Sequence, residues 1–550
     1  MKTTKYYFSI LILLGFVLSC NVIGGENQPG AGKTDYILKK EFVPMDDGIK
    51  LATDVYLPSA GEKFPCILAR TPYNKDGFKN DAEWAVKNGF VFVAQDCRGK
   101  FESEGQFYPF RNERHDGLAA VKWVRNQNWC NGKIGGWGGS YVGYTQWADS
   151  DALDAVTARL TGSDFYQLLY PDGLFSLDLA FKWGFAVSNK TNAFPGGDKL
   201  WASYFILPLS QADDKTVKDL DYINDWLEHS SYDKYWKAMG HRGITKCPVL
   251  SLGGWYDILL TAQIDDFQAL IKKGSHENRL VIGPWCHGGQ GFKNEYGGIE
   301  KVGNSDDLAK RFLARYIKGE DIKLMQPPFK DKMYNLFIME RNEYYGCDQW
   351  PPKATSFTDY YIGPNKYIGL EKPADKGMLE YTYDPANPYP NKGGTALGGN
   401  VGPALQNENL SRADQVAFET GVLESPLILL GPISATLYVS SDAPCTDFIV
   451  CLQDVFPDAN IINIQEGGSP VKLKESGVTK AEISVWATGY QVNPGHKLRA
   501  VITSSWFPRF NRNINSCEPI FSATTIKTAH QKIYFGPEHP SSVTLPILKL

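Results

Sequence analysis

The segment Lys133-Ile134-Gly135-Gly136-Trp137 runs straight into Gly138-Gly139-Ser140-Tyr141-Val142-Gly143, and a stretch able to form a helix follows. A strand that turns sharply into a helix across a serine leaves no room for a Cβ two residues before the serine or two to three after it. Gly138 and Gly143 meet that demand. The pattern therefore predicts a nucleophile elbow, with Ser140 presented at the carboxyl edge of a parallel sheet. The fit to G-x-S-x-G is displaced, because position plus two is Val142 and the glycine falls one residue later.

An α/β-hydrolase sheet places an acid and then a histidine on loops after later strands. Pro248-Val249-Leu250-Ser251-Leu252-Gly253-Gly254 is an apolar run closed by glycines, which predicts a buried parallel strand, and Asp257 lies just beyond it. Arg279 to Trp285 predicts a second such strand, with Cys286-His287-Gly288-Gly289 immediately after. Of the 8 histidines, His287 alone directly follows a strand of this kind. Asp257 taken alone also suits a helix N-cap for Ile258 to Leu270, and His287 alone suits a loop histidine bonded to backbone. Their joint order after Ser140 points to a triad of Ser140, His287 and Asp257. Tyr73 emerges from the loop after the strand-like Phe64 to Ala69, the loop that supplies an oxyanion donor in this fold; packing against the sheet edge is the alternative.

With these stretches the chain resembles the CocE/NonD acyl hydrolases, the family of cocaine esterase, α-amino acid ester hydrolases, glutaryl-cephalosporin acylases and X-Pro dipeptidyl-peptidases. The resemblance rests on Arg70-Thr71-Pro72-Tyr73, Gln95-Asp96-Cys97-Arg98-Gly99, Gly138 to Gly143, Gly254-Trp255-Tyr256-Asp257, Gly283-Pro284-Trp285-Cys286-His287 and Ser505-Trp506-Phe507-Pro508-Arg509-Phe510. It implies that Ser140, Asp257 and His287 are the triad. It also implies an oxyanion hole made by the Tyr73 hydroxyl and the Tyr141 backbone N–H. Asp96 and Arg98 read as a structural charge pair fixing the loop from Cys97 to Gly105.

At 550 residues, 43% of them hydrophobic and 13% aromatic, the chain is long enough for about three domains with sizeable cores. Residues 36–161 and 246–345 are expected to form the α/β-hydrolase domain, opened by a hairpin around Asp46-Asp47-Gly48. Residues 162–245, helical and aromatic-rich, are expected to insert as a cap. From 346 to 550, short alternating segments such as Ala435 to Val439, Phe448 to Leu452, Ala481 to Trp486 and Lys497 to Ile502 predict an antiparallel β-sandwich, which the resemblance makes a jelly roll.

Met1 to Lys5 is a basic n-region, Tyr6 to Val17 an apolar h-region too short to span a bilayer, and Val17-Leu18-Ser19-Cys20 resembles a lipobox. Residues 1–19 are expected to be a signal segment, Cys20 a lipidated anchor in a bacterial cell envelope, and 20–35 a flexible tether. Cleavage by the general signal peptidase, releasing a soluble periplasmic protein, is the alternative. The other cysteines show no C-x-x-C spacing, so neither a zinc site nor a disulfide framework is expected, although Cys445 and Cys451 could pair. The net charge of −4, from 57 basic and 61 acidic residues with no basic stripe, gives no reason to expect nucleic acid. No cofactor or metal is expected; the partners are a small acyl ester or amide and the membrane through the lipid alone, and a homo-oligomer is left open.

An apolar acyl pocket could draw on Trp255, Tyr256, Phe181 and Trp183, each of which could equally be core. Among cap acids able to meet a substrate ammonium, Asp164, Asp172 and Glu228 are candidates. The expected activity is hydrolysis of an ester or amide through an acyl-enzyme. Amino acid ester hydrolysis or X-Pro dipeptide release is the alternative, and a glycan-binding surface lipoprotein with weak or lost hydrolase activity is the reading from another class.

Overall fold

The computed structural model describes residues 36–274, 277–288, 298–399 and 401–550; the expected signal segment, the tether and Cys20 lie outside them. The N-terminal part is built on two five-stranded sheets. The first runs in the order Tyr36–Pro44, Lys50–Pro58, Val91–Asp96, Phe64–Thr71, Cys130–Gly136. The second runs Glu343–Cys347, Tyr334–Ile338, Arg279–Cys286, Val249–Tyr256, Val156–Arg159. Parallel bridges Gly135 to Ala155 and Gly139 to Arg159 join them into one mixed sheet.

Its inner strands are apolar on both faces: Val91–Asp96 and Val249–Tyr256 are buried at every residue. Such runs cannot alternate with solvent, so helices must cover both sides. Those helices include Lys79–Lys87, Glu113–Arg125, Tyr141–Ala148, Leu260–Ile271 and Ser305–Tyr316. The opening hairpin pairs Tyr36–Pro44 with Lys50–Pro58 around Gly48, whose φ of 87° needs glycine. Between Val156–Arg159 and Val249–Tyr256 the chain leaves the sheet and forms the cap helices, among them Phe165–Leu169, Leu177–Ala186 and Asp221–Glu228.

Beyond Thr355 the described chain is β apart from the short 3-10 turns Pro364–Lys366 and Asn407–Ser411, with one sheet of seven strands and one of four. The long strand Leu427–Ser441 pairs antiparallel with Thr479–Val492, Ala529–Phe535 and Ser542–Leu548, shifting register between Pro432 and Ser434. The smaller sheet runs Gln415–Glu419, Lys497–Thr503, Cys445–Val455, Ile461–Lys472.

Cys445 is bonded to Cys517, 72 residues away, which corrects the expectation of no disulfide and the alternative pairing with Cys451. Cys445 and Cys451 lie on one strand. Six residues of extended chain span about 20 Å, well beyond disulfide reach.

The β-sandwich is bonded directly to the catalytic half. Met339 N–H donates to Gly489 O at 2.9 Å and Gln491 N–H to Met339 O at 3.0 Å. A Cβ on Gly489 would lie 2.4 Å from Phe337 O and 2.9 Å from the Trp255 ring, so only glycine permits this approach. Gln465 Nε2 donates to Trp255 O at 3.1 Å, on the strand that ends beside Asp257.

Candidate active site

Ser140 occupies the turn between Cys130–Gly136 and Tyr141–Ala148 with φ 56° and ψ −127°, a conformation a non-glycine residue holds only when its surroundings enforce it. Two hydrogen bonds do so: Ser140 N–H donates to Arg159 O at 3.0 Å, and Thr161 Oγ1 donates to Ser140 O at 2.8 Å. The displaced glycine has a steric reason. A Cβ on Gly138, at φ 121°, would lie 2.4 Å from Val142 Cγ1, and one on Gly143 would lie 2.5 Å from Thr161 Cγ2. Val142 fills the space over Gly138, and Gly143 makes way for the chain leaving Val156–Arg159.

The three strand-end residues come together. His287 Nε2 is 2.9 Å from Ser140 Oγ, and its Nδ1 is 2.8 Å from Asp257 Oδ2. Asp257 is wholly buried and His287 nearly so, while Ser140 is half-buried. A carboxylate only accepts, so Nδ1 carries the proton toward Asp257 and Nε2 is left to accept from the serine hydroxyl. Asp257 serves its turn as well: Oδ1 accepts from Leu259 N–H at 2.7 Å, and the helix begins at Leu260. The local turn role and the contact to the histidine use different oxygens of one carboxylate.

Tyr73 lies in the loop after Phe64–Thr71, its N–H bonded to Thr71 Oγ1 at 3.0 Å. Its hydroxyl accepts from Trp183 Nε1 at 2.9 Å, and its ring stands edge-on to that of Tyr141. The Tyr141 hydroxyl is committed elsewhere: it donates to Glu113 Oε1 at 2.8 Å and accepts from Phe110 N–H at 2.9 Å. What Tyr141 offers the site is its backbone N–H, at the first position of its helix, where no intrahelical acceptor exists.

Beneath this loop Arg70 holds Glu113 through Nη2–Oε2 at 2.9 Å and Nη1–O at 2.7 Å. Burial raises the Glu113 carboxyl and the Arg70 charge opposes that rise. Asp96 and Arg98 are not a pair, contrary to expectation. Arg98 grips Asp116 at 2.6 and 3.0 Å and Asp47 at 2.6 Å. Asp96 instead accepts from Lys75 N–H at 2.8 Å, and burial pushes its carboxyl up to about 7. The strand ends at Asp96, and Arg98 lies in the turn beyond it, where the chain has changed direction.

Ser140 and His287 open on a pocket walled by Phe110, Tyr144, Phe165, Leu168, Leu179, Trp183, Phe194, Ile258, Leu259 and Leu397. The sheet domain, the cap and the C-terminal part each supply residues. Of the four expected pocket aromatics only Trp183 is there. Phe181 and Trp183 are two residues apart on helix Leu177–Ala186, about 200° around it, so they face opposite ways. Phe181 stacks on Phe185 and Tyr204 in the core. The wall is instead the face Leu179, Lys182, Trp183 and Ala186, at helical spacing. Trp255 and Tyr256 turn toward the β-sandwich, Trp255 Nε1 donating to Phe337 O at 2.7 Å and Tyr256 hydroxyl to Asn463 O at 3.4 Å.

Two charged residues reach the pocket. Asp164 caps Phe165–Leu169 through Tyr166 N–H at 3.0 Å, and burial raises its carboxyl. Lys182 Nζ donates to Leu397 O at 2.7 Å. Asp172 accepts from Trp486 Nε1 at 2.9 Å on the sandwich side, and Glu228 is exposed at the end of its helix. Among the described residues no cluster of His, Cys, Asp or Glu suits a metal, and no helix is long and apolar enough to cross a membrane.

Residues 47–289 match the model of the X-Pro dipeptidyl-peptidase (S15) family, and residues 330–544 match that of the X-Pro dipeptidyl-peptidase C-terminal non-catalytic domain. Cocaine esterase of Rhodococcus sp. (strain MB1 Bresler) is 30% identical over 567 residues, covering 92% of this chain and 98% of the esterase. An α-amino acid ester hydrolase shares the fold with a TM-score of 0.81 at 22% identity, covering 96% of this chain and 99% of that one. An aminopeptidase from a marine sediment Thaumarchaeota archaeon does so with a TM-score of 0.80 at 21% identity, covering 96% and 99%. With both models matched in order, and a relative aligned along nearly its whole length, the chain belongs to the X-Pro dipeptidyl-peptidase (S15) family of serine hydrolases, in the company of cocaine esterase.

Proposed function

We propose that the protein hydrolyses an ester or amide of a small substrate with an apolar acyl group, through an acyl-enzyme on Ser140. The observation that carries this reading is the hydrogen-bond chain Asp257–His287–Ser140 opening on a pocket walled by aromatic and aliphatic side chains. Ser140 Oγ attacks the acyl carbonyl while His287 Nε2 takes its proton, and Asp257 steadies the imidazolium. The oxyanion is received by Tyr141 N–H and the Tyr73 hydroxyl. Collapse expels the leaving group, which takes the proton from His287. A water, activated by the same imidazole, then attacks the acyl-enzyme and releases the acid.

A fluorophosphonate probe should label Ser140 in the wild type, and the label should be lost in Ser140→Ala. Glycan affinity with no labelling would favour a binding protein instead. A panel of p-nitrophenyl esters, amino acid esters, β-lactam side-chain amides and X-Pro amides then assigns the substrate, with apolar acyl esters expected to lead.

A second reading, hydrolysis of α-amino acid esters, draws on Asp164 at the pocket wall as the receptor of a substrate ammonium. Burial raises this carboxyl, and one of its oxygens is already taken by Tyr166 N–H, so the apolar reading stands first. A preference for free-amino over N-acetylated esters, abolished in Asp164→Asn, would reverse that order. Delivery by a signal segment with lipid attachment at Cys20 belongs to the same proposal: Cys20→Ser should shift the protein from the membrane to the soluble fraction.

A further inference from the structure

The indole of Trp183 faces two ways. Its ring is part of the apolar pocket wall, while its Nε1–H donates at 2.9 Å to the hydroxyl of Tyr73. An indole N–H is a donor only, so the phenolic oxygen accepts in this contact and its own proton is directed to another acceptor. Donation into a phenol oxygen polarises the O–H and makes it a stronger donor in turn. Trp183 thus fixes both the rotor and the strength of the group that would meet the oxyanion.

The placement of Trp183 does not depend on this one bond. Its ring stacks on Trp226 of helix Asp221–Glu228, with 15° between the planes. The chain after its helix is tied to the loops around Tyr73 at several points. Asn192 Nδ2 donates to Pro72 O at 3.0 Å, Phe101 N–H to Lys190 O at 2.9 Å, and the buried Lys100 Nζ to Val187 O at 3.0 Å and Asn189 O at 2.5 Å. Cap and oxyanion loop are therefore held as one unit, with the indole set between the acyl pocket and Tyr73.

We infer that Trp183 is a positioning residue for the reaction, orienting and polarising the Tyr73 hydroxyl, so that acyl recognition and oxyanion stabilisation run through one side chain. This rests on the acyl-hydrolase reading above. A merely structural tryptophan would affect folding or the binding of large acyl groups. A positioning one affects turnover of substrates too small to touch the ring, because the bond it supplies matters most in the transition state.

The test is a double-mutant cycle of Trp183→Phe with Tyr73→Phe, measured on p-nitrophenyl acetate, whose acyl group is too short to fill the pocket, and on p-nitrophenyl benzoate. Trp183→Phe is expected to lower kcat for the acetate about tenfold with KM little changed. In the Tyr73→Phe background the same substitution should change kcat less than about twofold, because the hydroxyl it serves is gone. Should Trp183→Phe fold poorly, 3-benzothienylalanine at position 183 keeps the ring and replaces the N–H with sulfur, with the same expectation. Equal losses in both backgrounds would overturn the inference and leave the role of Tyr73 intact. So would an effect confined to KM for the benzoate. A normal kcat in Tyr73→Phe would overturn the oxyanion assignment and this inference together, while Ser140 labelling stands independently of both.

Discussion

Asp257 gives one carboxylate oxygen to His287 Nδ1 at 2.8 Å and the other to the turn that starts the next helix. This double use fixes what an amide would do. In Asp257→Asn the oxygen stays with the Leu259 N–H and the NH₂ faces His287. The imidazole is driven to the tautomer protonated at Nε2, which cannot accept from Ser140. The expected loss in kcat is about 10⁴, against about 10⁶ for Ser140→Ala or His287→Ala. Single-turnover kinetics of the three purified variants check the order, and near-normal activity in Ser140→Ala would end the serine-nucleophile reading.

Tyr73→Phe keeps the ring and its edge-on packing against Tyr141 but removes the hydroxyl. An oxyanion donor predicts a fall in kcat of about 10²–10³ with KM nearly unchanged. A tyrosine that only packs predicts a lower melting temperature with normal turnover per folded molecule. Measuring both on one preparation separates the two.

The meeting of Ser140, His287 and Asp257 was legible in the sequence because each sits at the carboxyl end of a strand, where chain order alone says which edge of the sheet it occupies. Ser140 carried the further mark of Gly138 and Gly143, whose need for a bare Cα is confirmed by the neighbours a Cβ would strike. The pocket was less legible. Trp255 lies on a strand buried on both faces, and nothing in its sequence says which side holds the substrate. Phe181 and Trp183 were separable in principle, since spacing from Leu179 selects Trp183 and rejects Phe181. Leu397 was beyond reach, coming from a loop 215 residues downstream of the Lys182 it meets. The Arg98 contacts to Asp47 and Asp116 were hidden for the same reason: charge pairs across long separations leave no local trace.

The Cys445–Cys517 bridge closes a loop of 72 residues in the C-terminal part. Chain-entropy arguments put the effect of such a closure at about 4 kcal/mol, and real bridges commonly deliver 2–4. Cys445→Ser with Cys517→Ser should lower the free energy of unfolding by that order. Activity per folded molecule at 25 °C should be unchanged, because neither cysteine lines the pocket on which Ser140 opens. Denaturant titration of the two proteins under non-reducing conditions tests this.

Asp447 offers a pH-dependent counterpart. It is buried, accepts from Asn513 Nδ2 at 2.7 Å, and burial pushes its carboxyl up to about 7. The folded chain then holds a proton that the unfolded chain, with an ordinary aspartate near 4, has already lost. Stability from this group is present in full below the unfolded value and is lost as pH rises toward 7. Asp447→Asn, which cannot ionise, should therefore gain in melting temperature relative to wild type between pH 5 and pH 8. An equal difference at both pH values would show that the carboxyl titrates normally.

The contact of Gly489 with Phe337 and the Trp255 ring, and the bond from Gln465 to Trp255 O, bear on how such a protein can be taken apart. The strand that delivers Asp257 is clamped from outside its own sheet, by a region whose family counterpart is described as non-catalytic. A chain cut after residue 330 would lose the last strands of its catalytic sheet and leave the back of Trp255 bare. The two halves are thus coadapted partners, and exchanging either with a distant relative requires carrying across the matching face of the other.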